Sequence, residues 1–359
     1  MPNCDKKPKR INEIPLLLLA GKGGVGKTFV AASLAFALSK AGAHESSTTI
    51  DTTSNNDTQS EQSLPDQENT YVERIEGQLK QNRRVLLAQM NAPAGLGSIL
   101  DMDEPSESER PWRTNPNLWT VNLDPSSCLA SFGTLRLKKR NIIEGLLKKA
   151  FSDRFMTAVP GIRSLALMGR LWFYTQERSP EGAPRFHNII GETAGLGHIE
   201  RLLGQPTKIL SILPPSVLKR DLEEIVAMLQ DPDRVGIVLV TTPESIAVNE
   251  TIELKSRLEE MNHRIALLVI NDVIENTACT NPILRKLLKT TPSLCNQSFL
   301  IEETRFLKKR QALQKKMISK LRESFAVSII ELPHIPTVSL KPQEISFLAS
   351  KLECCWSNH

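Results

Sequence analysis

The stretch Gly21-Lys22-Gly23-Gly24-Val25-Gly26-Lys27-Thr28 constrains this chain more than any other feature. It fits the phosphate-loop pattern G-x-x-x-x-G-K-[ST] and adds a lysine directly after the first glycine. The run Ile14-Pro15-Leu16-Leu17-Leu18-Leu19-Ala20 before it reads as a buried strand, and Phe29 to Ala41 after it carries helical spacing. Strand, glycine loop and helix in that order gather backbone N–H groups around an anion at a helix N-terminus, where the helix dipole favours negative charge. In such a loop Lys27 reaches the β- and γ-phosphates and the Thr28 hydroxyl meets Mg²⁺. The expected nucleotide contacts are therefore the loop residues Gly21, Lys22, Gly23, Gly24, Val25, Gly26, Lys27 and Thr28, with Phe29 beyond them. A glycine turn before an ordinary helix is the competing reading.

Further apolar runs punctuate the chain. Arg84-Val85-Leu86-Leu87-Ala88, Leu118 to Leu123, His187 to Gly191, Val235 to Val240, Ile265 to Ile270 and Val327 to Leu332 read as strands. Helical patterns fall at about 127–178, broken near Pro160-Gly161, and at 245–261, 304–325 and 342–352. Strands alternating with helices predict an α/β fold with a mainly parallel sheet, helices on both faces and a helical subdomain inserted after the third strand. Ligands on such sheets sit at the carboxyl ends of the strands, where the phosphate loop lies. A basic tail is expected at 1–13, one domain at 14–352 and a short C-terminal tail at 353–359. From about 44 to 69 the chain has no Lys or Arg and only two aliphatics, Ile50 and Leu64, so a disordered insertion is expected there, ending in a short helix near Tyr71 to Gln81.

Composition removes several function classes. The formal net charge is +5 over 359 residues and the basic residues are spread along the chain, so no dedicated nucleic-acid surface is expected. No apolar run is as long as a membrane span. The apolar segment after the basic N-terminus runs straight into the phosphate loop and reads as a core strand rather than a signal peptide. A cytoplasmic chain without an integral membrane segment is the expectation. The six cysteines, Cys4, Cys128, Cys279, Cys295, Cys354 and Cys355, form no C-x-x-C pair; they fit a reducing compartment and argue against structural zinc.

The loop GKGGVGKT resembles the deviant Walker motif of the ATPase family that includes the arsenite-pump ATPase (ArsA), the tail-anchored-protein targeting ATPase and the septum-site and plasmid-partition ATPases. In that family the early lysine reaches across a dimer to the partner's nucleotide. The resemblance implies that role for Lys22; the plain alternative is a solvated lysine at a loop mouth. Other segments resemble the ArsA branch. Asn91-Ala92-Pro93-Ala94-Gly95-Leu96 stands where the family carries Asp-Pro-Ala-His-Ser-Leu, and Leu123-Asp124-Pro125 with Cys128-Leu129 is similar to its "DP…AL" element. Val159-Pro160-Gly161-Ile162 is similar to its "PGI" turn, and Glu192 to His198 lies where it has Asp-Thr-Ala-Pro-Thr-Gly-His. The match is fullest from Val238 through Thr241-Thr242-Pro243-Glu244 to Thr251. Val269-Ile270-Asn271 resembles the strand whose asparagine meets the adenine, and Leu332-Pro333-His334 a late Leu-Pro turn near the base. The resemblance spans about Pro15 to Leu352 apart from the insertion. It implies ATP and Mg²⁺ as cofactors, with Asn271 and Pro333 at the base, Thr28 on the metal and Glu192 on it through water.

The departures fall where hydrolysis takes place. The switch I aspartate of the family is Asn91 here, and the switch II aspartate is Glu192. Ala94 replaces a histidine, and Gly195-Leu196 replaces Pro-Thr. Asparagine can hold a water but cannot take its proton, and near-attack geometry is sensitive to a shift of an ångström. Asp101 or Asp103, a few residues on, offers a substitute carboxylate. Lys22, Lys27, Asn91 and Glu192 are the expected catalytic set. The resemblance implies an ATPase, slow in turnover, that couples closure of a homodimer or heterodimer to handling a protein client. The alternative is a hydrolysis-deficient paralogue acting as the regulatory half of a heterodimer. Arsenite handling and partition-type positioning are weaker readings, because the thiols are scattered and no terminal amphipathic helix is present. For a hydrophobic client two apolar faces stand out, Ile142-Ile143-Leu146-Leu147-Ala150-Phe151 and Leu165-Leu167-Met168-Leu171-Trp172-Phe173; the other reading packs both onto the core.

Overall fold

The structure is a computed structural model, and it describes residues 9–44, 83–90, 110–136, 161–213, 215, 217–275, 297–336 and 341–357. The strand before the phosphate loop, β1 (Leu16–Ala20), has every residue buried. Its side chains alternate between two cores: Leu16 and Leu18 enter one, Leu17 and Leu19 the other. A strand buried on both faces has to be apolar throughout, which is why it reads as an uninterrupted run.

The chain continues through α1 (Lys27–His44), β2 (Val85–Met90), β3 (Trp112–Asn115), β4 (Leu118–Leu123), α2 (Pro125–Arg136) and α3 (Ile162–Gln176). Then follow β5 (Asn188–Glu192), α4 (Leu196–Ile212), α5 (Val217–Gln230), β6 (Val235–Thr241) and α6 (Ser245–Glu260). The last elements are β7 (Ile265–Val273), α7 (Gln297–Ser324), β8 (Ile329–Pro333) and α8 (Pro342–Ser357). The eight strands form one sheet in the order β3-β4-β2-β5-β1-β6-β7-β8. All neighbours are parallel except the β3–β4 hairpin. The α/β expectation holds, with one added element: β3 makes β4 the fourth strand in chain order, so α2 and α3 follow the fourth strand rather than the third.

One face of the sheet is covered by α1 and α8. Val30, Leu34, Leu38, Ile345, Leu348 and Leu352 are all buried between these helices and the strands. The small side chains of Ala31, Ala32, Ala35 and Ala37 let α1 lie close to its neighbours. The other face packs α2 through α7, anchored by Cys128, Leu171, Ile199, Leu222, Leu254 and Leu321. Each fully buried leucine contributes about 1.5–3 kcal/mol of transfer free energy.

The apolar stretch of α3 belongs to this second core. Leu167, Met168, Leu171 and Trp172 are buried in it, and Leu165 and Phe173 pack against it half-buried. Of the two readings of that stretch, core packing is the one observed, and α3 offers no free apolar face to a client. The other proposed client face, Ile142 to Phe151, lies outside the described residues, as do the 45–69 part of the polar insertion, Asn91, Ala94, Asp101 and Asp103. Among the described residues no helix is long and apolar enough to cross a membrane.

Candidate functional site

Parallel strands place their carboxyl ends on one edge, and β1 lies at the point where the chain order departs in both directions, to β5 on one side and β6 on the other. That is where an open α/β sheet leaves a crevice. The loop from Gly21 to Gly26 crosses this crevice and feeds α1. Its path depends on two glycines in particular. A Cβ at Gly21 would collide with the Val240 carbonyl oxygen of β6, and Gly26 adopts φ +83°, where a Cβ would also strike the Asn271 side chain. A left-handed backbone is costly for residues other than glycine. Around Gly23 and Gly24 an added Cβ would meet nothing within 4 Å, so the mouth of the loop is open, although Gly24 is also left-handed at φ +84°.

Lys27 and Thr28 open α1. Lys27 is 7% exposed, and its ammonium donates to the Lys22 carbonyl at 2.9 Å. Thr28 Oγ1 donates to Glu192 Oε1 at 2.5 Å. Glu192 ends β5 and is 6% exposed. Sheet register sets Glu192 beside Leu19 of β1 and beside Gln89 of β2, whose amide makes a long 3.4 Å contact to Glu192 Oε2. Burial lowers the Lys27 pKa and raises that of Glu192. Their mutual attraction opposes both shifts, and the Thr28 and Gln89 hydrogen bonds oppose that of Glu192, without cancelling either. Burial thus disfavours the charged form of both groups, and their proximity offsets part of that penalty.

Other residues surround this centre. Lys22 forms an ion pair with Glu250 of α6 at 3.1 Å, both side chains being more than a third exposed. The Asn271 amide near the end of β7 donates to the Val25 carbonyl at 3.0 Å, so the strand expected to meet the base also braces the loop. Pro333 ends β8 in register with Val273. Beyond it His334 Nδ1 lies 2.5 Å from Asp272 Oδ1, and Asp272, at φ +65°, also faces Arg310 at 3.7 Å. His198, in the segment resembling switch II, accepts from the Ala194 N–H at 3.3 Å, and its pKa is pushed down to about 4 by burial and by Arg201.

The structure thus brings together Lys27, Thr28 and Glu192, with Lys22, Asn271 and the loop backbone around them. Phe29 continues α1 beyond Thr28. Asn91 lies outside the described residues. Three contributors carried no expected role: Gln89, Glu250 and the Asp272–His334 pair. Gln89 could have been noticed as the polar residue near the carboxyl end of an apolar strand. Glu250 falls in the segment where the family match is fullest, but nothing local ties it to Lys22, 228 residues away.

The arrangement fits a magnesium nucleotide. The loop has room at Gly23 and Gly24 and a buried ammonium behind it. It also sets a hydroxyl and a carboxylate side by side, with an acceptor, Gln89 Oε1, that has no hydrogen-bond partner. Among the described residues no group of three or more His, Cys, Asp or Glu side chains is placed to hold a metal by itself, so a cation here would depend on Thr28, Glu192 and the ligand.

Comparison with known proteins agrees with this geometry. The arsenical pump-driving ATPase of Acidiphilium multivorum is 23% identical over 274 residues, 72% of this chain and 40% of its own length. ATPase BagA of Mycobacterium tuberculosis is 21% identical over 272 residues, 74% of this chain and 66% of its own. ATPase GET3C of Arabidopsis thaliana is 24% identical over 301 residues, 74% of this chain and 68% of its own. The chain therefore spans two fifths of the pump ATPase and about two thirds of the other two. The family model described as the CobQ/CobB/MinD/ParA nucleotide binding domain matches residues 16–332, from the first residue of β1 to the last strand. With most of the chain matched and the phosphate loop at its centre, this protein belongs to the CobQ/CobB/MinD/ParA nucleotide binding domain family.

Proposed function

We propose that this protein is an ArsA-like ATPase that binds Mg-ATP at the loop 21–28, hydrolyses it slowly and uses the cycle to close a dimer around a protein client. The observation that carries the reading is the Lys27–Thr28–Glu192 cluster behind the mouth of the loop, with Lys27 and Glu192 buried and Thr28 half-buried. Bound as its magnesium complex, the nucleotide would bring a cation whose positive charge would offset the negative charge that develops during phosphoryl transfer. Loop N–H groups and Lys27 would hold the phosphates; Lys27 would exchange the Lys22 carbonyl for a phosphate oxygen. Thr28 would turn its hydroxyl lone pair to the metal, and Glu192 would hold the metal's water. Asn271 and Pro333 would flank the base.

Closure with a second copy is supported by what surrounds the mouth. Lys22 is held by Glu250 through an exposed ion pair, which is weak and readily exchanged. Ile246, one turn earlier on the same helix as Glu250, is 65% exposed. An exposed apolar side chain one turn from the carboxylate that holds Lys22 suits a surface that a partner covers.

A second reading, a nucleotide-bound regulatory half of a heterodimer, is favoured by Asn91 and by the longer Glu192 where the resemblance implies aspartates. Arsenite handling gains no support: Cys128 is buried, and Cys279 and Cys295 lie outside the described residues. The deciding experiment is Mg-ATP turnover by the wild type, Lys27→Ala and Asn91→Asp. Slow turnover abolished in Lys27→Ala supports the first reading. Turnover that appears only in Asn91→Asp supports the second. No nucleotide-dependent signal in any of them defeats both.

A further inference from the structure

Glu192 is not gripped by Thr28 alone. Gln89 of β2 stands in register with it, is 5% exposed, and touches Glu192 Oε2 through its amide nitrogen at 3.4 Å. The other end of the same side chain, Gln89 Oε1, is buried with no hydrogen-bond partner. A buried carbonyl without a donor is destabilising, and natural structures leave few of them. The row is also placed for chemistry. Thr28 and Glu192 share a 2.5 Å hydrogen bond at the N-terminus of α1, and Gln89 is the next side chain along the sheet. A strand that is otherwise wholly apolar there, Val85-Leu86-Leu87-Ala88-Gln89-Met90, carries an amide only at this register.

We propose that Gln89 is a positioning residue of the metal subsite: its amide steers the Glu192 carboxylate, and its free carbonyl accepts a hydrogen from the water shell of the divalent cation that accompanies the nucleotide. An amide is suited to both duties, since one end donates to a carboxylate while the other accepts from an O–H. The inference rests on the nucleotide-site reading given under Proposed function.

The test measures affinity for a fluorescent ATP analogue with EDTA and across a Mg²⁺ titration, in the wild type, Gln89→Met and Gln89→Glu. Outer-shell partners of a metal typically change its affinity about 10- to 100-fold when removed. Gln89→Met, close in volume and apolar, is therefore expected to need at least about tenfold more Mg²⁺ for half-maximal tightening. Its EDTA affinity should stay within about twofold of wild type, because an outer-shell residue does not touch the phosphates. Gln89→Glu places a second carboxylate against Glu192. Its thermal midpoint without ligand should fall, and Mg-nucleotide should raise that midpoint by more than it does in the wild type. Equal Mg²⁺ dependence in Gln89→Met and wild type overturns the role of Gln89 and leaves the nucleotide site standing. A wild type that binds no nucleotide, or binds it without regard to Mg²⁺, overturns both.

Discussion

At the scale of single residues, the site is a balance between desolvation and attraction, and that balance can be read by pH. Glu192 has its pKa raised above the ordinary 4.5 by burial. Its contribution to stability is therefore present below that value and is lost as the pH rises through the folded-state pKa. Glu192→Gln, which stays neutral, should melt higher than the wild type in the nucleotide-free protein at pH 7–8, with the gap closing near pH 4; a calorimetric pH series checks this. His198 has the opposite sign. Its pKa falls from 6.5 to about 4, so stability present above 6.5 is lost as the pH drops through about 4. The side chain is only partly buried, so after solvent screening about 2 kcal/mol is expected, and His198→Gln should flatten that part of the acid profile. Which of these residues were legible in advance follows from how local their signals are. Lys27 and Thr28 sit in a contiguous motif. Gln89 and Glu250 act through sheet register and helix placement, which join residues more than a hundred positions apart.

At the scale of elements, strands buried on both faces were the easiest to read, because β1, β6 and the first part of β7 had to be unbroken apolar runs. The edge strand β3 was missed for the complementary reason. Its four residues alternate half-buried and exposed, and it adds only a hairpin to β4 across Pro116-Asn117. Trp112 and Thr114 before an Asn-Pro-Asn turn were the available signal. The apolar stretch on α3 could serve either a core or a client when read as spacing alone; only the position of the sheet distinguishes them. Trp172 is 4% exposed within the core. Trp172→Ala should therefore lower folding stability by about 3–5 kcal/mol, measured by denaturant melts. A stable Trp172→Ala protein that loses only partner binding would contradict the packing assigned to α3.

At the scale of the whole molecule, the fold puts the phosphate loop, the carboxyl end of β5 and the start of α6 at one mouth. Under the proposed closure, Lys22 would leave Glu250 to meet a partner. Its ion pair with Glu250 is more than a third exposed on each side and contributes about 0–1 kcal/mol. Lys22→Ala should leave the melting of the isolated chain nearly unchanged while reducing nucleotide-dependent dimerisation, followed by light scattering with and without Mg-ATP. Equal loss in both measurements would place Lys22 in the fold rather than in closure. The proposed nucleotide site at loop 21–28 is organised by the buried Lys27. Its most direct test is calorimetric titration of Mg-ATP into the wild type and Lys27→Ala. Removing a buried, charge-assisted hydrogen bond should weaken binding by about 10- to 100-fold. Equal affinity in the two proteins, or no binding by the wild type, would contradict it.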